Sequence, residues 1–471
     1  MDNKCDVVVI GAGIGGLTAG CYMAKYGLRV SVIEQHDKPG GYCSSFSKNG
    51  YHFDAGAHSL GSMRNEGVIS NVLNDLGVLK KFKYITSDIT DRVIMPDETV
   101  YVYRDSARTI NELKSFFPKE SKNIDNFFKF VLESKLLTLV SKTKSLTFGE
   151  LLNDFFTEKK LKSILSVFMG NLGLPPSRAS ALASVTLFKE FVFDGGYYPK
   201  GGMQEFANLL TKTFVDYGGK ITLSTKVVEI MTERNRAVGV RTNHNDHIKS
   251  KVVLSNADAT TTLNKMVKNT SSKLTFRRLQ PSISAFAVYL GINDRLKDVP
   301  RHLTTWFFST YDIDKCYSPQ PHIADIDYLI CSLPSLVDDS IAPKEKNAIR
   351  IMIAANYETT DTWNARKDFV SSKLLKKLNN LIPNVINCIE VKEIATPCAF
   401  AKITSNRSGA LFGWAATKDQ IDMCHCPSDT RFKNLYLTGH WVTKGVGQSS
   451  IPLVILCGKN AAKKIIRNIK S

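Results

Sequence analysis

The 471-residue chain is long enough for about three domains' worth of core, and its 43% hydrophobic and 23% charged residues are those of a water-soluble globular protein. No window of eighteen apolar residues predicts a transmembrane helix. The formal charge of +18 is mostly lysine, spread over Lys80-Lys81-Phe82-Lys83, Lys159-Lys160-Leu161-Lys162 and the tail from Lys459. It comes without a nucleic-acid recognition motif, which excludes that partner and leaves a solvated surface, or a basic face towards anionic lipid or an acidic acyl-carrier protein.

In chain order, Asp6-Val7-Val8-Val9-Ile10 is an apolar run of strand length ending in Gly11-Ala12-Gly13-Ile14-Gly15-Gly16. Leu17 to Tyr26 then reads as a helix stopped at Gly27, and Arg29 to Ile33 as a second strand with Glu34 at its end. Gly11 permits the tight strand-to-helix turn, Gly13 lets backbone approach a pyrophosphate, and Gly16 lets the helix lie on the strand. The helix N-terminus offers free N–H groups to phosphate. Glu34, eighteen residues past Gly16, suits a ribose diol and repels a 2′-phosphate. Strand, turn, helix and acid in this order predict a dinucleotide site. The same glycines, five in all up to Gly20, interrupt the N-terminal apolar run and exclude a signal peptide.

A second glycine doublet, Pro39-Gly40-Gly41-Tyr42-Cys43-Ser44-Ser45, extends the site, and Gly50 to His58 reads as a short strand ending in a small-residue loop. Helical spacing follows at Ile110–Phe117, Asn123–Leu139 and Phe148–Met169. Ser177 or Ser180 is positioned to cap a helix running to Phe191. Gly195 to Met203 punctuates the chain before a helix, Gln204–Tyr217, and a strand pair, Lys220–Ser224 and Lys226–Met231. Four strand-like runs follow: Ala285–Leu290, His302–Ser309, Tyr328–Leu333 and Ala348–Ala354. A helix is expected at Phe369–Leu381, a strand at Asn434–Leu437 ending in Thr438-Gly439, and a last helix through Ile466 capped by Ser450. The ten cysteines are scattered, form no Cys-x-x-Cys, and include a Cys424-His425-Cys426 too cramped for a zinc pair. They are expected to be reduced, in a cytoplasmic protein without a metal site.

The first 60 residues, with Tyr198-Pro199-Lys200-Gly201-Gly202-Met203, Val252 to Ala257 and the Gly439 and Gly447 segments, resemble the flavoprotein family of phytoene (carotenoid) desaturases and retinol saturases, and more distantly the amine oxidases. The resemblance implies an α/β fold: a Rossmann-type FAD-binding domain (1–64, 200–275 and 425–471), an inserted helical lid (65–199) and a β-sheet substrate domain (276–424). It implies FAD held without a covalent link by Gly11, Gly13, Ile14, Gly15, Gly16, Glu34, Gln35, Gly40, Gly41, Ser44, Ser45, Gly56, Ala57, His58, Val227, Val228, Asn256, Gly439, Gly447, Ser450 and Ile451. The last helix would aim its N-terminus at the flavin.

The implied reaction is hydride transfer at a carbon–carbon bond of an apolar polyene or isoprenoid, with oxygen, a quinone or another external partner exchanging electrons. Alternatives are an amine oxidase, a desaturase of a carrier-bound acyl or amino-acid substrate, and a non-enzymatic relative of the GDP-dissociation inhibitors. A peripheral position on a membrane face would suit the basic charge. His58 and His440 are the candidate acid–base residues, because imidazole titrates near working pH; Tyr197, Tyr198, Lys200, Arg407 and Trp414 are further residues expected near the ring or at a domain crossing.

Overall fold

The computed structural model describes residues 4–268, 279–318, 326–422, 430–442 and 450–470. Cys424-His425-Cys426 and the Gly445-Val446-Gly447 run lie outside them.

Two seven-stranded sheets organise the chain. In the first, Lys4–Ile10 pairs in parallel with Val30–Ile33 on one side and His247–Ser255 on the other, and Val30–Ile33 with Lys220–Thr222. The first half of His247–Ser255 continues antiparallel to Arg236–Thr242, while its second half pairs in parallel with Leu435–Leu437. Val7, Val8 and Val9 are fully buried, as a continuous apolar run demands of a strand covered on both faces. The helix Ile14–Lys25 is buried along most of its length. It is wedged between this sheet, the helix Met203–Asp216 and the C-terminal helix Ile451–Lys470. Small residues make that possible: a Cβ on Gly458 would stand 2.4 Å from the Gly15 carbonyl oxygen.

The second sheet runs Ile389–Ala395, Ser284–Ile292, Asn347–Ala355, Tyr328–Ser332, Thr304–Phe308, Ile89–Ile94 and Thr99–Tyr103. Its last two strands come from the region expected to be wholly helical. Ile89–Ile94 joins in parallel to Thr304–Phe308, so the insert is stitched into the substrate-side sheet.

Two expected helices are broken. Asn123–Leu139 divides into Ser121–Glu133 and Leu136–Thr143, and Phe148–Met169 ends its first helix at Phe155 before Lys159–Ser166 begins. The second break has a visible cause. Buried Glu120 accepts hydrogen bonds from Thr157 N, Thr157 Oγ1 and Glu158 N at 2.7, 2.7 and 2.8 Å, donors that an unbroken helix would direct to its own carbonyls. Ala181–Leu187 does start after Ser180, but no side chain caps it, and it passes into a π-helical turn over Phe188–Val192.

Candidate active site

The carboxyl ends of the parallel strands open onto a cavity of about 860 Å³ that extends to the second sheet. Gly11, with φ of +91°, turns the first strand into its helix, and Gly13 caps that helix without a side-chain bond. No acidic residue occupies the first turn of this helix or of the C-terminal one, so both ends keep their polarity for an anion. The Asn256 carboxamide lies where three glycines meet. A Cβ on Gly13, Gly15 or Gly439 would approach it to 2.7, 2.7 and 2.5 Å. This is a cradle that any larger residue would fill, and it suits the close backbone approach a pyrophosphate needs.

Glu34 is 7% exposed. Its Oε2 accepts from Ala12 N at 2.7 Å and its Oε1 from His36 N at 3.0 Å. The acid therefore fixes the turn and still presents its remaining lone pairs to the cavity, the arrangement a ribose diol requires. Gly40 N donates to Ala12 O at 2.9 Å, which sets the second glycine doublet beside the first.

Most of the expected cofactor residues line this one cavity. Gly11, Gly13, Ile14, Gly15, Glu34 and Gln35 do so at one end. Gly40, Gly41 and Ser44 continue along the wall, followed by Gly56, Ala57 and His58. Val227, Asn256, Gly439, Ser450 and Ile451 close it from the other segments. Three expected residues stay out of the wall. Gly16 is buried beneath it, where a Cβ would meet the Gly11 carbonyl oxygen at 2.3 Å. The Ser45 hydroxyl turns to Asp54 at 2.7 Å. Val228 sits at a register shift in its strand, which leaves only its neighbour Val227 facing the cavity. Gly447 lies outside the described residues.

The two candidate imidazoles both line the cavity, but neither titrates near neutrality. Burial, aided by the charge of Arg350, depresses His58 to about 3. Burial alone depresses His440 to about 4. Both are neutral at working pH, which removes the reason for reading them as proton donors of the imidazolium type. His58 packs edge-on against Phe191, and His440 lies 6.0 Å from the Tyr42 ring and 5.5 Å from Trp441, with its Nε2 buried and unpartnered.

Of the other residues expected nearby, Arg407 lines the cavity and its backbone N donates to Asp258 at 3.1 Å. Trp414 is buried behind the wall, edge-on to Trp441 and donating to its carbonyl at 3.1 Å. Tyr198 donates to Asp54 at 2.6 Å, Tyr197 donates to Asp194 at 3.3 Å, and Lys200 is exposed.

Sequence reasoning expected a β-sheet substrate domain beyond the flavin end but did not single out its lining residues. Trp306, Ile330 and Met352 stand abreast across three neighbouring strands of the second sheet and form one wall. Leu187, Phe191 and Phe412 supply the facing side. Trp306 is held by its Nε1–H, which donates to buried Asp91 at 2.7 Å. Among the described residues, the carboxylates lining the cavity are Glu34, Asp37 and Asp258, all in loops that follow strands of the first sheet.

Comparison with known proteins agrees with this geometry. The chain is 24% identical to the all-trans-retinol 13,14-reductase of Danio rerio, covering 92% of this chain and 82% of the relative. It is 25% identical to a 4,4′-diapophytoene desaturase (4,4′-diapolycopene-forming) of Methylomonas sp., covering 99% and 96%. Among solved structures, an oxidoreductase from Methanosarcina mazei shares the fold with a TM-score of 0.72 at 18% identity, over 98% of this chain and all of that one. Residues 14–466 match the flavin containing amine oxidoreductase family; the chain belongs to it and is an FAD-dependent oxidoreductase.

Proposed function

We propose that the protein catalyses hydride transfer at a carbon–carbon bond of an apolar polyene or isoprenoid, as a desaturase, saturase or isomerase. The observation that carries this reading is the asymmetry of the cavity. Its substrate-side walls are mostly apolar, with Leu187, Phe191, Trp306, Ile330, Met352 and Phe412 beside the one amide of Asn171, while among the described residues the lining carboxylates are at the nucleotide end. An ammonium substrate would need a counter-charge where, among the described residues, no carboxylate stands. The retinol reductase and diapophytoene desaturase relatives favour the same class over an amine.

FAD, when bound, supplies the hydride acceptor or donor. The chain's own residues hold and orient: the glycine cradle and Glu34 fix the nucleotide half, and the Ala55–His58 loop borders the junction with the apolar lobe. Phe191 against His58 narrows that junction and helps keep water from the reacting carbon. Neutral His58 and His440 shape the site as uncharged rings.

We further propose that the enzyme meets its substrate at a membrane surface. Among the described residues no helix is long and apolar enough to cross a membrane. Leu136 and Leu137, however, are 59% and 84% exposed at the start of a short helix flanked by Lys129, Lys135, Lys142 and Lys144. Leucines beside lysines suit an anionic bilayer face. This segment packs on the cavity wall: Lys189, in the π-helical turn that also carries Phe191, donates to Ser134 O at 3.3 Å.

The deciding experiment is an anaerobic titration of the FAD-loaded protein, read by flavin absorbance and by chromatography of the polyene. Bleaching by a saturated isoprenoid identifies a desaturase, and reoxidation of pre-reduced protein by a polyene identifies a saturase. A change of polyene geometry without net redox change identifies an isomerase. Bleaching by amines with no effect on any polyene would overturn the reading.

A further inference from the structure

Arg350 is the one charged residue of the strand Asn347–Ala355, within the otherwise apolar run 348–355, and is only 4% exposed. It is on the cavity side of the sheet, because Met352, two residues on and so on the same face, lines the cavity. Its Nη1 donates to the carbonyl oxygens of Gly56 and, at 3.3 Å, Asp54. Its Nη2 donates to Ser332 Oγ at 3.1 Å, and its Nε is buried with no partner.

None of these partners is charged. Asp54 gives Arg350 its carbonyl and turns its carboxylate elsewhere, towards Tyr198 Oη at 2.6 Å, Ser45 Oγ at 2.7 Å and Met203 N at 2.8 Å. Among the described residues Arg350 takes part in no ion pair. A guanidinium cannot lose its proton, and burying it without a counter-ion is strongly unfavourable. Carbonyl dipoles offset part of that cost but leave the charge in place.

The charge is directed at a particular place. The loop that Arg350 holds, Asp54 to His58, contributes Ala55, Gly56, Ala57 and His58 to the cavity wall. A bound flavin that receives a hydride takes up two electrons and one proton, and so gains one negative charge. The Asp54 carboxylate, which feels the Arg350 charge, is engaged by three other donors, so the reduced flavin would be a further counter-charge.

We infer that Arg350 is an electrostatic positioning residue of the flavin site. It clamps the Asp54–His58 loop to the substrate-side sheet, and its charge, held without a direct ion pair, favours the reduced cofactor. Neutral His58 is part of the same arrangement, since a second cation beside Arg350 would be repelled. The inference rests on FAD as cofactor and is independent of which substrate reacts.

Potentiometry of the FAD-loaded protein with a reference dye, in the absence of substrate, tests it. Arg350→Met removes the charge and is expected to shift the two-electron equilibrium at least tenfold towards oxidised flavin, a midpoint potential lower by about 30 mV. Arg350→Lys keeps the charge but loses the two-armed grip. It is expected to hold the equilibrium within about threefold while amide exchange at residues 55–58 accelerates. An unchanged equilibrium in Arg350→Met, or an Arg350→Lys protein that falls tenfold, would overturn the inference. Should Arg350→Met fail to fold, Arg350→Lys decides alone by the same limits. A polyene that fails to react leaves these readings untouched, because the dye delivers the electrons.

Discussion

Glu34 has two tasks in this structure, and replacing it should separate them. One task is internal: its two carboxylate oxygens accept from Ala12 N at 2.7 Å and His36 N at 3.0 Å. Ala12 is fully buried, and its N–H loses its charged acceptor once the carboxylate is gone. A hydrogen bond to a charged group contributes about 1.5–3 kcal/mol, and an orphaned buried donor costs about 1–3 kcal/mol. His36 is half-buried, so water replaces much of its share. Glu34→Ala should therefore destabilise the apoprotein by about 2–4 kcal/mol. Glu34→Gln retains one acceptor oxygen and should cost roughly half as much.

The second task is the cofactor. Losing the acceptor for the ribose diol should weaken FAD binding by a further ~1–3 kcal/mol, or about five- to 150-fold in Kd. Urea unfolding of FAD-free protein measures the first effect, and fluorescence titration with FAD measures the second. An apoprotein as stable as the parent after Glu34→Ala would refute the claim that the acid holds the turn. Undiminished FAD affinity would refute its role in the site.

Asp91 offers a sign-dependent test. Burial lifts its carboxyl to about 6, against the help of the Trp306 and Thr90 hydrogen bonds. The native state therefore holds this proton more tightly than the unfolded chain, and stability falls as pH rises from about 4 to about 6. Asp91→Asn keeps an acceptor for Trp306; it should gain up to ~3 kcal/mol at pH 7 and little at pH 4 by chemical denaturation. Equal changes at both pH values would contradict the buried-charge account. For the chemistry, neutral His58 and His440 predict a flavin reduction or reoxidation rate with polyene that is flat between pH 6 and 8. A limb near 6.5 in stopped-flow traces would reinstate a titrating histidine. At the surface, Leu136→Glu with Leu137→Glu should abolish sedimentation with anionic vesicles while leaving the melting temperature within about 2 °C. Unaltered sedimentation would remove this helix from the membrane reading.

What could be read from the sequence was what the local chain dictates. The turn Gly11 to Gly16, the acid Glu34 and the doublet Gly40-Gly41 each need a residue type for a backbone or ligand reason, and the fold brings them together. Strands in the second half were legible for the same reason: Ala285–Leu290 and Ala348–Ala354 fall within Ser284–Ile292 and Asn347–Ala355. The alternation Thr99-Val100-Tyr101-Val102-Tyr103 carried a strand signal too, but was absorbed into the neighbouring helical pattern. Broken helices were not legible, because the break at Phe156 depends on Glu120, more than thirty residues away. Nor were Trp306, Ile330 and Met352, whose shared wall is a consequence of strand register. Arg350 did leave a trace: a lone charge within Ala348-Ile349-Arg350-Ile351-Met352-Ile353.

That lone charge and the lining acids together describe how the cavity is divided. Among the described residues, Glu34, Asp37 and Asp258 stand at one end, and the walls of the other end are mostly hydrocarbon and aromatic. Between them, the 55–58 loop is backed by a cation whose partners are only carbonyls and a hydroxyl. An amine substrate would have to bring its own cation towards that positive charge with no lining carboxylate beside it, which is unfavourable in a water-poor site. A polyene brings no charge. The hydride it gives up adds a negative charge on the flavin side, where Arg350 stands, and the polyene stays neutral because its adjacent carbon loses a proton to a base or to water. The same arrangement therefore selects against the amine class and favours reduction of the cofactor.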